Sequence, residues 1–239
     1  MTDERIEQLD RDWLQVFWEI SGRSSNKDMQ ELLAKILAGE IAQPGTFSAA
    51  TVLALSTLSK HQAGLFQQLC SMSFKYGNSV QVMLDLPDLE KGNAGYNPIG
   101  STGIKGRQLI EFGLDHTALL ELNVARLLAS LPGDQHEDFK NFYACNTLEF
   151  AGKPVRIEVD KFLEKWGSQE SDNEAKNLTC CVLSLTSTGI ELRSILALKP
   201  NEAYVVALQR ALDKSGARLV PNRKAIDLDD VFDGLLAAW

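Results

Sequence analysis

Residues 12–66 read DWLQVFWEISGRSSNKDMQELLAKILAGEIAQPGTFSAATVLALSTLSKHQAGLF, and their punctuation decides the fold. Ile6, Leu9, Trp13, Val16, Phe17 and Ile20 recur at three- and four-residue steps, which lines one helical face and predicts a helix over residues 3–20. Ser21-Gly22 is expected to end it. Asn26 or Asp28 caps a second helix, with Met29, Leu32, Leu33, Ile36, Leu37 and Ile41 as its apolar stripe. Pro44-Gly45 stops that helix. Ser48 caps a short helix through Leu58. Ser59 followed by Gln62 is a capping box, opening a further helix that holds Leu65, Phe66 and Leu69. These helices form an N-terminal bundle over residues 1–72.

Outward from this stretch the pattern changes. Residues 73–114 are a Gly- and Pro-rich connecting region, with a short strand around Val80–Leu84 and a long loop. Asp115 caps a helix carrying Leu119, Leu120, Leu122, Val124, Leu127 and Leu128, closed by Pro132-Gly133. Phe142–Phe150 and Val155–Val159 flank the turn Ala151-Gly152-Lys153-Pro154 and read as a hairpin. Residues 164–177 are a polar, acidic loop. Leu178–Leu185 is a third strand, rich in β-branched and small apolar types. Thr186 or Ser187 caps a helix through Leu196. Pro200-Asn201 precedes a helix over 202–214 with Tyr204, Val205, Leu208 and Leu212 on one side. Ser215-Gly216 ends it, and Ala217–Val220 is a last strand. The order of parts from 115 to 225 is that of a winged helix; an unrelated α+β subdomain has the same order. Residues 226–239 form a terminal amphipathic helix. The expected class is α+β, predominantly helical, with a small antiparallel sheet.

At 239 residues the chain is long enough for a real core. Its 44% hydrophobic and 23% charged residues are ordinary for a soluble globular protein. No apolar run approaches the ~20 residues that span a bilayer. The charged start MTDERIEQLDRDW lacks the apolar region of a signal peptide, so the expected location is the cytoplasm, with no membrane partner. The net charge of −8 argues against a general nucleic-acid binder. Cys70, Cys145, Cys180 and Cys181 form no CxxC pair and read as small buried hydrophobes.

Met29-Gln30-Glu31-Leu32-Leu33-Ala34-Lys35-Ile36-Leu37-Ala38-Gly39-Glu40-Ile41 and then Pro44-Gly45-Thr46-Phe47-Ser48 resemble a run found in an uncharacterised bacterial family, the domain of unknown function 2806 group. Leu33 stands where Trp is common in that run. Leu185-Thr186-Ser187-Thr188-Gly189-Ile190-Glu191-Leu192 is similar to the family's second run. The resemblance implies a bacterial cytoplasmic protein, sometimes found beside mobile-element or phage-related genes. It implies no activity, so no catalytic residue is carried over.

Residues with chemistry are few. His61 and His116 lie in first turns of predicted helices, and His136 lies in the acidic loop tip Asp134-Gln135-His136-Glu137-Asp138. Neighbours on one loop do not converge on one ion. Gly100-Ser101-Thr102-Gly103-Ile104-Lys105-Gly106-Arg107 is the nearest approach to a phosphate loop, but it is not GxxxxGK[ST], and no clear apolar strand leads into it. No GxSxG elbow is present. No catalytic residue, cofactor or metal is assigned.

Two surface features remain. Lys199, Arg210, Lys214, Arg218, Arg223 and Lys224 gather near the C-terminus, a candidate nucleic-acid contact. The acidic tail that follows either folds back on them or leaves them as separate solvated faces. In that tail Leu228, Val231, Phe232, Leu235, Leu236 and Trp239 line one helical side, a candidate partner contact. The expected function is therefore a non-catalytic protein–protein interaction or scaffold protein of the bacterial cytoplasm, linked to mobile elements or phage defence and assembling as a homo-oligomer or with a second subunit. The alternative is a winged-helix-like regulator or accessory protein with DNA as partner. A third is an enzyme using the 100–107 loop.

Overall fold

The computed structural model of the protein describes residues 9–87, 96–99, 109–131, 135–159 and 179–222. Four helices come first: α1 (Arg11–Arg23), α2 (Lys27–Ala42), α3 (Ala49–Thr57) and α4 (Lys60–Cys70). Helices α2, α3 and α4 start at their expected caps, and α1, expected from residue 3, starts at Arg11 with Asp10 as its cap. Asn26 Oδ1 accepts the N–H groups of Asp28 and Met29, which settles the choice between Asn26 and Asp28. Ser59 and Gln62 complete a reciprocal capping box. One boundary differs. Ser21-Gly22 does not end α1, which runs on to Arg23 and closes at Ser24, whose N–H donates to the Ser21 carbonyl.

The chain then enters a sheet earlier than its Gly content suggests. Strands β1 (Phe74–Tyr76), β2 (Ser79–Met83), β3 (Asp85–Pro87) and β4 (Tyr96–Pro98) occupy a region expected to hold one strand and a loop. Gly77, at φ +53°, supplies the left-handed position that the β1–β2 hairpin turn requires. After a short 3-10 turn (Ile110–Phe112) come α5 (His116–Val124), β5 (His136–Asp138), α6 (Lys140–Tyr143), β6 (Glu149–Phe150), β7 (Lys153–Val159), β8 (Thr179–Ser184), α7 (Ser187–Ser194), α8 (Glu202–Lys214) and β9 (Ala217–Pro221).

Several expectations are corrected here. Leu127 and Leu128 lie beyond the end of α5, and Leu120 and Val124 face solvent rather than a core. The strand predicted from Phe142 is confined to Glu149–Phe150, because Phe142 sits in α6 with its ring edge-on to Phe74. The β6–β7 hairpin does form, turning at Ala151 and Gly152, both with positive φ. The acidic loop tip around His136 is strand β5. Thr186, not Ser187, caps α7, which ends at Ser194. Helix α8 and strand β9 match expectation, and Asn201 caps α8. The expectations for residues 3–8, 92–95, 100–107, 132–134, 164–177 and 223–239 lie outside the described residues.

The class is mixed α+β with antiparallel strands. Seven strands form one sheet in the order β5-β8-β2-β1-β6-β7-β9, and β3 pairs with β4 in a second, small sheet. Strands from residues 74–83 thus sit mid-sheet between strands from residues 136–221. A single apolar cluster joins helices and sheet. Tyr204 of α8 is fully buried within it; its hydroxyl donates to the Met83 carbonyl at 2.8 Å and its ring stacks on Phe150. On β9 the Leu219 N–H donates to Gln209 Oε1 and Pro221 has no N–H, so part of that strand's outer rim is already covered. Helix α3 packs on α1 and on α7, and α4 packs on α5.

Candidate functional site

The two signature-like runs, far apart in sequence, meet in space. Glu40 lies near the end of α2 and is only 3% exposed. Its Oε1 accepts the Gly45 N–H at 2.5 Å and its Oε2 accepts the Phe47 N–H at 2.8 Å. One buried carboxylate therefore ties down the turn that follows its own helix, in charge-assisted hydrogen bonds. Gly45 is at φ +85°, a conformation that side chains disfavour. Phe47 is buried, and its ring lies so close over Gly39 that a Cβ there would sit 2.6 Å from it.

Ser48, next in the chain, caps α3 by accepting the Thr51 N–H. Glu191 of α7 completes the cap from across the fold. Its Oε2 accepts the Ser48 N–H at 2.6 Å, the Ser48 hydroxyl at 3.1 Å and the Thr51 hydroxyl at 2.6 Å. A carboxylate at the N-terminus of a helix also meets the positive end of its dipole. Helix α7 is itself fixed by close backbone approach. The Thr186 N–H donates to the Leu127 carbonyl, the Thr186 hydroxyl donates to the Arg126 carbonyl, and a Cβ on Gly189 would lie 2.5 Å from the Leu127 oxygen.

One turn of α7 further on, Arg193 is 5% exposed. Its Nε donates to Ser73 Oγ at 2.8 Å, Nη1 lies 4.0 Å from Glu149 Oε2, and Nη2 has no hydrogen-bond partner among the described residues. Burial lowers the guanidinium's affinity for its proton, opposed by neighbouring Cys70 and Glu149. Burial pushes the Cys70 thiol far above its ordinary range, with Arg193 acting against the shift. Cys180 is likewise raised, by burial first and then by the charges of Asp85 and Glu137. Thiols that hold their protons are poor nucleophiles and poor metal ligands. Cys70, Cys180 and Cys181 are buried and Cys145 is half-buried.

A second polar group crosses the sheet. The Tyr76 hydroxyl donates to Gln81 Oε1, Gln81 Nε2 donates to Glu137 Oε2, and Asn141 donates to Glu137 Oε1. Asp85 Oδ1 accepts the Cys181 N–H at 2.7 Å. Burial, then the Glu137 charge, raises the Tyr76 phenol above its ordinary value. A neutral phenol, an amide and a carboxylate in a row form a satisfied internal network that pins β1, β2 and β5 together.

Lys199, Arg210, Lys214 and Arg218 are all exposed. Arg210 and Lys214 lie one turn apart on α8. Arg218 of β9 opposes Glu158 and lies in an open depression of about 350 Å³ lined also by Asp213, so acidic groups share its surroundings. Arg223 and Lys224 lie outside the described residues, as do Leu228, Val231, Phe232, Leu235, Leu236 and Trp239 and the 100–107 loop. His61 Nε2 lies 3.9 Å from Glu121 Oε2 at the surface. Among the described residues no three His, Cys, Asp or Glu side chains converge to hold a metal ion. No described helix is long and apolar enough to cross a membrane.

Sequence reasoning missed Glu40, Glu191, Arg193 and the Tyr76–Gln81–Glu137 row. A signal for Glu40 was present: it falls in step with Leu33 and Ile36, on the stripe that buries. The hydrogen-bond partners Ser48 of Glu191 and Ser73 of Arg193 lie more than a hundred positions away, and no local pattern encodes them.

Residues 1–209 match the family model described as protein of unknown function (DUF2806), and the chain belongs to that family. No curated protein and no solved structure matches it.

Proposed function

We propose that this DUF2806 chain is a non-catalytic interaction or scaffold protein of the bacterial cytoplasm that assembles with a second copy or another subunit through its helical surface. The observation that carries the reading is the placement of its exposed apolar side chains. Val124 is 80% and Trp18 62% exposed. Leu120 and Val124 lie one turn apart on α5, and Leu53, also exposed, stands on α3, which packs against the helix of Trp18. Single exposed apolar residues are ordinary. Groups of them on neighbouring turns and helices support a contact surface. Partial cover along β9 favours helix-mediated assembly over strand addition. The carboxylates of Glu40 and Glu191 are occupied in holding backbone amides, which fits a structural rather than a reacting role.

Sedimentation of the full chain over a range of concentrations tests the reading. An assembly weakened by Val124→Ser or Trp18→Ser supports it. A monomer at every concentration, with no change on either substitution and no co-purifying subunit, ends it.

A second reading has a separate support. Arg210 and Lys214 project from adjacent turns of α8, with Lys199 and Arg218 exposed on either side in the chain. The succession α5, β5, α6, β6–β7, β8, α7 contains a helix, a hairpin, a strand and a helix in the order of a winged-helix-like nucleic-acid binder. DNA affinity that falls steeply with salt, and is lost in an Arg210→Ala, Lys214→Ala, Arg218→Ala variant, would favour this reading. Absence of binding at low salt would remove it.

A further inference from the structure

We infer that residues 9–58 open from the rest of the fold as one piece and that Glu191 is the latch that holds them closed. Among the described residues, three hydrogen bonds cross from 9–58 to the remainder of the chain, and all three end on a single atom, Glu191 Oε2. Their donors lie within the first turn of one helix start: the Ser48 N–H, the Ser48 hydroxyl and the Thr51 hydroxyl. Within the unit, helix caps and turns are satisfied locally, while the buried Trp13 Nε1 finds no hydrogen-bond partner among the described residues. Asp10, Asn26 and Ser48 cap their own helices, and Glu40 serves its own turn. Among the described residues the chain leaves the unit once, through Leu58-Ser59 between α3 and α4. Helix α3 is the element of the unit that rests on α7.

The apolar core is continuous across this joint, so contact there is non-directional. The directional part is the carboxylate. When it is lost, the Thr51 hydroxyl, fully buried, has no acceptor across the joint, and separation of the surfaces returns it to water. Loss of the latch therefore lowers the free energy of local opening much more than it disturbs the sheet, whose strands are held by their own ladders. Opening uncovers Val52 and Leu55 of α3, both buried in the closed form, and creates an apolar surface that the closed molecule does not show. The device does not depend on the assembly reading above.

Hydrogen exchange of the full chain tests it. In Glu191→Ala, amides of α1–α3 are expected to exchange at least ten-fold faster, while those of β2 and β8 keep their wild-type rates. Thr51→Val, which removes one of the three donors and keeps the volume, is expected to show a smaller acceleration in the same helices; it also carries the test if Glu191→Ala fails to fold. Unchanged protection in α1–α3, or equal acceleration in α1–α3 and in β2 and β8, would overturn the inference.

Discussion

Glu191 Oε2 lies 2.6 Å from the backbone nitrogen of Ser48, a partner 143 positions away in the chain. That one contact makes the two signature-like runs a single structural joint. The first run builds a turn and the start of α3; the second brings α7 and its carboxylate to that start. Gly39, Gly45, Gly189, Thr46, Ser48, Thr186, Glu40 and Glu191 each have a packing, backbone or hydrogen-bonding task in these runs.

The turn after α2 depends on Glu40 in the same manner. Replacing it with Ala leaves the Gly45 and Phe47 amides without their acceptor, and the Phe47 side of the turn is buried. Glu40→Ala is expected to lose about 3 kcal/mol of stability in urea unfolding. Glu40→Gln keeps one acceptor oxygen and should lose less. A loss under about 0.5 kcal/mol for Glu40→Ala would mean that water serves those amides equally well.

Two glycines should respond in opposite directions. At Gly189 an added Cβ would meet the Leu127 carbonyl oxygen at 2.5 Å, and backbone atoms yield poorly. Gly189→Ala is expected to destabilise by about 2 kcal/mol. Gly64 lies inside α4 with nothing within 4 Å of such a Cβ. Gly64→Ala is expected to stabilise by roughly 0.5–1 kcal/mol, the ordinary helix preference. Thermal melts of the pair check both signs.

Much of this architecture was legible in local pattern, because helix caps and amphipathic stripes act over three or four residues. Ser48, Ser59 and Asp115 each cap the helix they were expected to cap, and Asn26 does so in place of its alternative Asp28. Strand β1 was hidden because Phe74–Tyr76 is three residues long, too short to show alternation, and ends in a Gly-containing turn that reads as loop. The apolar stripe of α5 misled in the other direction: Leu120 and Val124 share its periodicity yet face solvent. The candidate site was the least legible part. Glu191 and Arg193 look like ordinary helix-surface charges until the fold brings Ser48, Thr51 and Ser73 to them.

Alkaline pH should weaken the protein through its buried thiols. Cys70 and Cys180 are both raised above the ordinary thiol value of 9.0. In the unfolded chain they release their protons near that value; in the folded chain they keep them. Their contribution is therefore full below about pH 9 and declines as pH rises further, by about 1.4 kcal/mol per pH unit for each thiol. Cys70→Ala should flatten the alkaline limb by one proton's worth relative to wild type. Parallel alkaline limbs in the two proteins would contradict the assignment.

The most direct test of the joint is a double-mutant cycle between Thr51 and Glu191. Thr51→Val, Glu191→Ala and the double variant are compared with wild type by urea unfolding. The 2.6 Å contact between these side chains predicts a coupling of about 1 kcal/mol or more, the double variant losing less than the sum of the singles. Losses that add to within about 0.3 kcal/mol would show that the two residues act independently, and the claim that the signature runs form one joint would fail.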